Sequence, residues 1–353
     1  MPISMTYNPP QANTQQRRYR YALLMTLGLL VLALVLAVSS GPVMSDWRLL
    51  LVSWWPGELN GIEPIHRAVV AEIRLPRLVL GLAVGMVLAQ AGTTMQTLCR
   101  NPLADPGLIG ISAGAALCAL FVIAFGSQLG LVGDIWVTLG AFVGALGATF
   151  LVYRLAGGLR GMNIATLILA GVALNALAGA LIGLFSFYAD DEALRLMSFW
   201  QMGSLAGVTW DNLPFGLLAM GIASVAFWWR RHAINALLLG ERQAGYLGIS
   251  VVSFKRELVI WVALGVGGAV ALTGMIGFIG LVIPHIARLL VGASIIRVMP
   301  LSMLLGASVL VLADWLARML VAPAELPIGI ITALLGAPFF IVLLLKFKRR
   351  LHA

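Results

Sequence analysis

The chain has 353 residues, of which 61% are hydrophobic and 10% charged, against about 25% charged in a typical soluble protein. With a mean hydropathy of +0.99 it cannot cover a water-exposed surface, which excludes a soluble enzyme, a nucleic-acid-binding module and a disordered chain. The net charge of +9 then reads as basic cytoplasmic loops of a polytopic membrane protein.

A spanning helix needs about 20 mainly apolar residues. Ten stretches qualify, at 21–40, 77–98, 107–126, 131–154, 163–187, 212–229, 257–273, 276–292, 299–319 and 327–346. The first follows Arg17, Arg18 and Arg20, and Ala37-Val38-Ser39 has the look of a leader cleavage site. Its apolar run is longer than a signal-peptide core, so it is read as a retained helix. The seventh and eighth are nearly continuous. The predicted architecture is all-α: a cytoplasmic tail over 1–20, one transmembrane domain over 21–346, and a cytoplasmic tail over 347–353.

Orientation follows from the basic residues. With the N-terminus in the cytoplasm, 17 of the 23 Lys and Arg residues fall inside. The six outside are Arg48, Arg67, Arg74, Arg77, Arg195 and Arg318. Of the 14 acids, only Asp105, Glu241 and Glu257 fall inside. This is the positive-inside pattern, and an even number of spans keeps the basic C-terminal residues on the inner side.

Glycines recur four apart inside spans, at Gly81 and Gly85, Gly140 and Gly144, and Gly179 and Gly183, a spacing that lets helix backbones approach. Asn101-Pro102-Leu103 after the second span is faintly echoed by Ile283-Pro284-His285 in the eighth. Spans 2–5 and 7–10 would run in opposite directions, as in inverted-repeat transporters.

Much chemistry is missing. No Gly-Lys pair occurs, so there is no Walker A loop and no ATP binding by that device. The four histidines, His66, His232, His285 and His352, are scattered, and Cys99 and Cys118 suggest neither zinc nor a disulfide framework. Acids at mid-membrane are nearly absent, which counts against an ion-coupled carrier. Asp314 lies inside the ninth span with Arg318 one turn on, the spacing of a local ion pair.

Four segments are too polar or too angular for ordinary loops. Arg74-Leu75-Pro76-Arg77 precedes the second span, its two arginines three apart. Residues 100–107, Arg-Asn-Pro-Leu-Ala-Asp-Pro-Gly, make a rigid turn. Residues 237–249, within a cytoplasmic segment of about 230–256, are half-apolar and broken by glycines into short helical pieces. Such a piece should dock on the membrane surface or on a cytoplasmic partner. Glu325-Leu326-Pro327-Ile328-Gly329 opens the tenth span.

These motifs resemble the FecCD/BtuC family, the permease subunits of type II ABC importers for iron chelates, haem and cobalamin. The resemblance rests on Gln90-Ala91-Gly92 with Gln96, the Asn101–Gly107 segment, and Gly277-Phe278-Ile279-Gly280-Leu281 running into Pro284-His285 and Arg288. It rests also on Ala313-Asp314 with Arg318, and on the Glu325 segment with Gly336-Ala337-Pro338. It covers about residues 20–350. Within the family the whole sequence resembles the bacterial haemin permeases, on overall similarity rather than a haem-specific motif.

The resemblance implies ten helices per subunit and a homodimer in the bacterial inner membrane with both termini cytoplasmic. It also implies a path along the dimer axis, two cytoplasmic ATPase subunits that use the ATP, and a periplasmic haem-binding protein. No cofactor or metal is held permanently, and haem is the transported substrate; a ferric siderophore or cobalamin is the alternative. The coupling segment would fit a groove of the ATPase through Leu239, Gly240, Glu241, Arg242, Ala244, Gly245, Leu247 and Gly248. There the small residues Gly240, Ala244 and Gly245 would permit close approach, and Leu239 and Leu247 would supply apolar contact. Arg74, Arg77 and Arg318 would receive acids of the binding protein. Asn101 and Leu103, with Met162, Asn163 and Ile164, match gate regions, and Asn175 matches the path. Tyr188, Met197 and Met202 are candidate haem contacts. His285 stands in a Pro-His context general to the family and is read as structural.

Overall fold

The computed structural model describes residues 10–40, 68–158 and 161–351. The positions Arg48, His66, Arg67, Arg160 and His352 lie outside the described residues. The helices among the described residues are α1 (Pro10–Ser39), α2 (Leu75–Leu98), α3 (Ile111–Phe125), α4 (Asp134–Leu155), α5 (Ile164–Tyr188) and α6 (Asp191–Met202). They continue with α7 (Leu213–Leu237), α8 (Glu241–Tyr246), α9 (Val251–Thr273), α10 (Ile279–Val291), α11 (Ile295–Met319) and α12 (Ile328–Leu351). A π-helical turn, Val69–Arg74, leads into α2.

Seven helices are long and apolar enough to cross a membrane, and three shorter apolar ones are α3, α10 and Ile328–Leu343 of α12. Together they occupy the ten expected spans. Helix α1 starts at Pro10, and α12 runs to Leu351, so the described parts of the expected tails, 10–20 and 347–351, are helical continuations of the outermost spans. Helix α7 persists to Leu237 and α9 starts at Val251. The segment between them is therefore shorter than the 230–256 expected, because Trp228 to Leu237 keeps helical register through the arginines.

Helix α6 was not anticipated. Its signals are the Asp190 side chain, which accepts from the Ala193 amide at 2.8 Å, and the acidic first turn of Asp191 and Glu192. Both mark a helix start. Too short and too polar to span, it packs chiefly on α3.

Helix α2 is the centre of the bundle, contacting α7, α9, α10 and α11. Its threonine hydroxyls are satisfied within the helix itself. The hydroxyls of Thr93, Thr94 and Thr97 donate to the carbonyls of Ala89, Gln90 and Thr93, four residues back. Glycine lets neighbours reach its backbone. A Cβ at Gly85 would collide with the Gly306 carbonyl of α11, and one at Gly92 with the Gly280 carbonyl of α10. Of the four-apart glycines, Gly85 and Gly144 sit at such backbone contacts, whereas Gly179 and Gly183 face open space.

Helix α10 is only 13 residues, about 20 Å at 1.5 Å per residue, short of the ~30 Å hydrocarbon core. The rest of the crossing is the non-helical stretch 274–278, which ends on Phe278 at φ +68°. Helix α3, 15 residues long, is likewise entered through a 3₁₀ turn, Pro106–Ile109, and Gly110 at φ +80°. The shared feature of the two halves is thus a short third or eighth span entered by irregular backbone. The two proline motifs are not equivalent: Pro284 lies inside α10, Pro102 in a loop.

The segments beside the irregular backbone are tied together. Ser204 N donates to Thr273 O at 2.7 Å, and Ile328 N to Gly203 O at 3.0 Å. These bonds join the ends of α6 and α9 to the start of α12. Helix α11 is started from outside: Asn235 of α7 accepts from the Ile295 amide at 2.9 Å.

Because Gly92 has no room for a methyl group, Gly92→Ala should lower stability by about 1–3 kcal/mol, the usual cost of overpacking. Gly179→Ala should leave the subunit's stability unchanged. Thermal unfolding of the purified variants in detergent checks both.

Candidate functional site

Three arginines gather at the end of α11 opposite its Asn235-capped start. Arg77 Nε donates to Asp314 Oδ1 at 2.7 Å, and its Nη1 to Glu325 Oε2 at 2.8 Å. Arg318 Nε donates to the other Asp314 oxygen at 3.2 Å, and its Nη2 to Ala37 O at 3.2 Å. Arg74 donates to Val38 O. The cluster ties α1, α2, α11 and the approach to α12 together. The expected Asp314–Arg318 pair exists, but the shorter contact of Asp314 is to Arg77, from a helix distant in sequence.

The arginines were expected on an outer surface. Instead Arg74, Arg77 and Arg318 are 6%, 8% and 6% exposed. Carboxylates and the free carbonyls ending α1 take the place of water around them. Glu325 is the accessible member of the cluster, its side chain 36% exposed.

A second polar network crosses α2 and α10. Pro284 has no amide to give the Gly280 carbonyl four residues back. Gln96 Nε2 lies 3.4 Å from that oxygen and donates to Leu281 O at 3.1 Å, while Gln96 Oε1 accepts from Arg288. His285 lies one residue from the break, 6.0 Å between ring centroids from Phe339 of α12. Among the described residues both its ring nitrogens are buried without a hydrogen-bond partner.

At the opposite end, residues 238–250 form the short helix α8 between Gly240 at φ +118° and Gly248 at φ +83°. Only glycine takes these angles readily, so the glycine breaks expected here are real. Glu241 pairs with Lys255 at 2.6 Å, fastening α8 to α9. Tyr246 is 89% exposed, and Leu239 and Leu247 are each 64% exposed. A side chain at Gly245 would meet open space. Arg242 is exposed as well. Ala244, expected to face a partner, is instead fully buried against the bundle. A six-residue helix that must hold to its own subunit turns one small residue inward. The Arg100 guanidinium lies beside Gly240, so the 100–107 turn adjoins the 237–249 segment.

That turn is held by its own side chains. Asn101 Oδ1 accepts from the Leu103 amide at 2.9 Å, and Asp105 Oδ1 from Gly107 at 2.7 Å. Burial pushes the Asp105 carboxyl above its usual range, and the Gly107 amide opposes the rise. Met162 is buried. Asn163 caps α5 through the amides of Ala165 and Thr166, just ahead of the first helical residue, Ile164.

Helix α5 is the least buried long helix. Leu169, Val172, Leu177, Leu184, Phe187 and Tyr188 all stand exposed along it. Asn175 is half-buried, and its side chain makes no hydrogen bond among the described residues. Tyr188 and Met202 are exposed; Met197 is 1% exposed, packed with Ala116 and Leu120. Met197 therefore fills the core beneath α6 and is not placed to touch cargo. Among the described residues no group of three His, Cys, Asp or Glu is placed to hold a metal ion.

Asp314→Asn would leave two buried guanidinium groups short of a counter-charge, so it should cost about 3–5 kcal/mol. Glu325→Gln removes a half-exposed partner and should cost about 0–1 kcal/mol. Denaturant unfolding in detergent checks this order; equal losses would refute it.

Known proteins bear on this arrangement. The model of the FecCD transport family matches residues 24–346. The Hemin transport system permease protein HmuU of Yersinia pestis is 40% identical over 325 residues, covering 92% of this chain and 96% of that one. The Vitamin B12 import system permease protein BtuC of Vibrio cholerae is 39% identical over 300 residues, covering 84% and 89%. An inward-facing structure assigned to a metal-chelate type ABC transporter superposes with a TM-score of 0.79 at 32% identity, covering 92% and 98%. Permeases of this kind are the membrane subunits of ABC importers and leave ATP hydrolysis to a separate subunit, in keeping with the missing phosphate loop. The chain belongs to the FecCD transport family.

Proposed function

We propose that this permease carries haem across the bacterial inner membrane as a homodimer, with both termini cytoplasmic. Two ATPase subunits sit beneath it and a periplasmic haem-binding protein delivers the cargo above. The observation carrying the haem reading is the 40% identity to a hemin permease over nearly the whole chain. The exposed, largely apolar face of α5, with Tyr188 at its end, suits a flat cargo with apolar faces and binds it weakly enough to release it. A second reading, cobalamin, has support of its own from the 39% identical vitamin B12 permease.

In this proposal Leu239, Tyr246 and Leu247 enter the ATPase groove, with Gly245 allowing the close approach and Ala244 anchoring α8 to its own subunit. The adjoining turn at Asn101 and Leu103, with Met162, Asn163 and Ile164, forms the inner gate, and Asn175 lines the path. Docking of the binding protein's acids on Arg74, Arg77 and Arg318 requires the buried cluster to open. Glu325, being the accessible carboxylate, is the partner to be displaced.

Reconstituted with its ATPase and binding protein, the permease should take up haem in an ATP-dependent manner, in preference to a ferric siderophore or cobalamin. Preferred uptake of cobalamin would overturn the haem reading and leave the class intact. The chain by itself should hydrolyse no ATP.

Gly245→Trp should abolish ATPase assembly or uncouple transport, while the permease still inserts and unfolds at the wild-type temperature. Pull-down with the ATPase and proteoliposome uptake check it; normal assembly and transport would remove α8 from the coupling role.

A further inference from the structure

The start of α11 is bonded to the end of α7 and to the start of α1. Arg297 Nη1 donates to Gln15 Oε1 at 3.1 Å. The Arg231 guanidinium stands 3.9 Å from the Trp228 ring centroid and donates to the Trp228 carbonyl at 3.4 Å. Asn235, one turn beyond Arg231 on α7, accepts from the Ile295 amide, two residues before Arg297, at 2.9 Å. Tyr19 packs against the buried cluster of Ala22, Ala287, Val291, Val298 and Leu301. The two cations thus rise from adjoining ends of different helices.

Nothing acidic answers them. Among the described residues the ion pairs involve Arg77, Arg318, Arg230 and Lys255, and neither Arg231 nor Arg297 takes part. The adjacent Arg230 is by contrast paired with Glu257 at 2.6 Å. Two unpaired guanidinium groups fixed by an aromatic ring and an amide form a site for an anion, and arginine matches phosphate geometry.

The surroundings identify the anion's carrier. Exposed apolar side chains of α7 (Leu218, Ile222, Val225 and Trp229) lead to this same end. Trp228 and Trp229 are both exposed there, and Trp and Tyr collect where headgroups meet acyl chains. Basic pockets between helix ends bind anionic headgroups. We propose that Arg231 and Arg297 seat the phosphate of an anionic phospholipid, whose acyl chains lie along the exposed side of α7. A free phosphate ion would satisfy the charge and leave the apolar stripe unused. The site depends only on the chain spanning a membrane, not on the cargo proposed above.

The test is titration of the purified full chain with phosphatidylglycerol and with phosphatidylcholine, read by native mass spectrometry. Phosphatidylglycerol should bind in preference. Arg231→Gln with Arg297→Gln should weaken it about 25-fold, about fivefold per arginine. Arg154→Gln with Arg256→Gln removes the same charge from exposed, unpaired positions and should change little. Arg231→Lys with Arg297→Lys should keep part of the affinity. Equal weakening by the control pair would overturn the site, as would displacement of the lipid by excess inorganic phosphate. Unchanged lipid affinity with lost ATPase assembly would mark a protein contact instead and also overturn it. If the Gln pair fails to fold, a photoactivatable phosphatidylglycerol on the wild-type chain decides. Labelling at the ends of α1 and α7 supports the site, and labelling elsewhere overturns it.

Discussion

A peptide group left unpaired in hydrocarbon costs several kcal/mol, and this chain abandons helical geometry at two of its membrane crossings. Much of the bundle is arranged around closing those gaps. The stretch before α10 leaves α9 at the junction of α6, α9 and α12, which is tied by hydrogen bonds from Ser204 to Thr273 and from Ile328 to Gly203. The proline inside α10 frees a carbonyl, and Gln96 of α2 stands against it. Gly92 brings α2 close enough for this, because a side chain there would strike the Gly280 backbone. Irregular backbone survives at this depth only because protein surrounds it.

The same economy governs the charges. Arginine is retained inside the bundle where carboxylates and free carbonyls replace water, as at Arg77, Arg318 and Arg74. Breaking such a cluster from within is destabilising, yet one of its carboxylates, Glu325, reaches solvent. The cluster is thus rigid through Asp314 and open to competition through Glu325. A surface able to receive an acidic partner would have these two properties.

The moving parts of an importer need surfaces that their own subunit does not bury. Helix α5 leaves most of one face uncovered, and α8 offers Leu239, Tyr246 and Leu247 outward while Ala244 and the Glu241–Lys255 pair hold it down. The 100–107 turn touches this segment through Arg100. A push on α8 therefore has a short physical route to the turn between the second and third spans.

Composition and periodicity determined the membrane class, the ten spans and the glycine-broken segment at 237–249, because hydrocarbon imposes length and apolarity on each span separately. Spaced motifs carried the family for the same reason: Asn101–Gly107 or Glu325–Gly329 are local strings. What each side chain faces was beyond such reading. Met197 turns inward and Arg74 and Arg77 are buried because α3, α1 and α11 come from distant parts of the chain to cover them, while Ala244 turns inward where α8 packs on α7 and α9. The cap of α11 by Asn235 and the answer of Gln96 to Pro284 lie 60 and 184 residues apart in sequence. Helix α10 looked long enough to span because its entry is as apolar as its helix. Only packing against Gly336 and Gly92 decides where helical geometry begins, since local sequence carries apolarity but tertiary contact decides which backbone groups find partners.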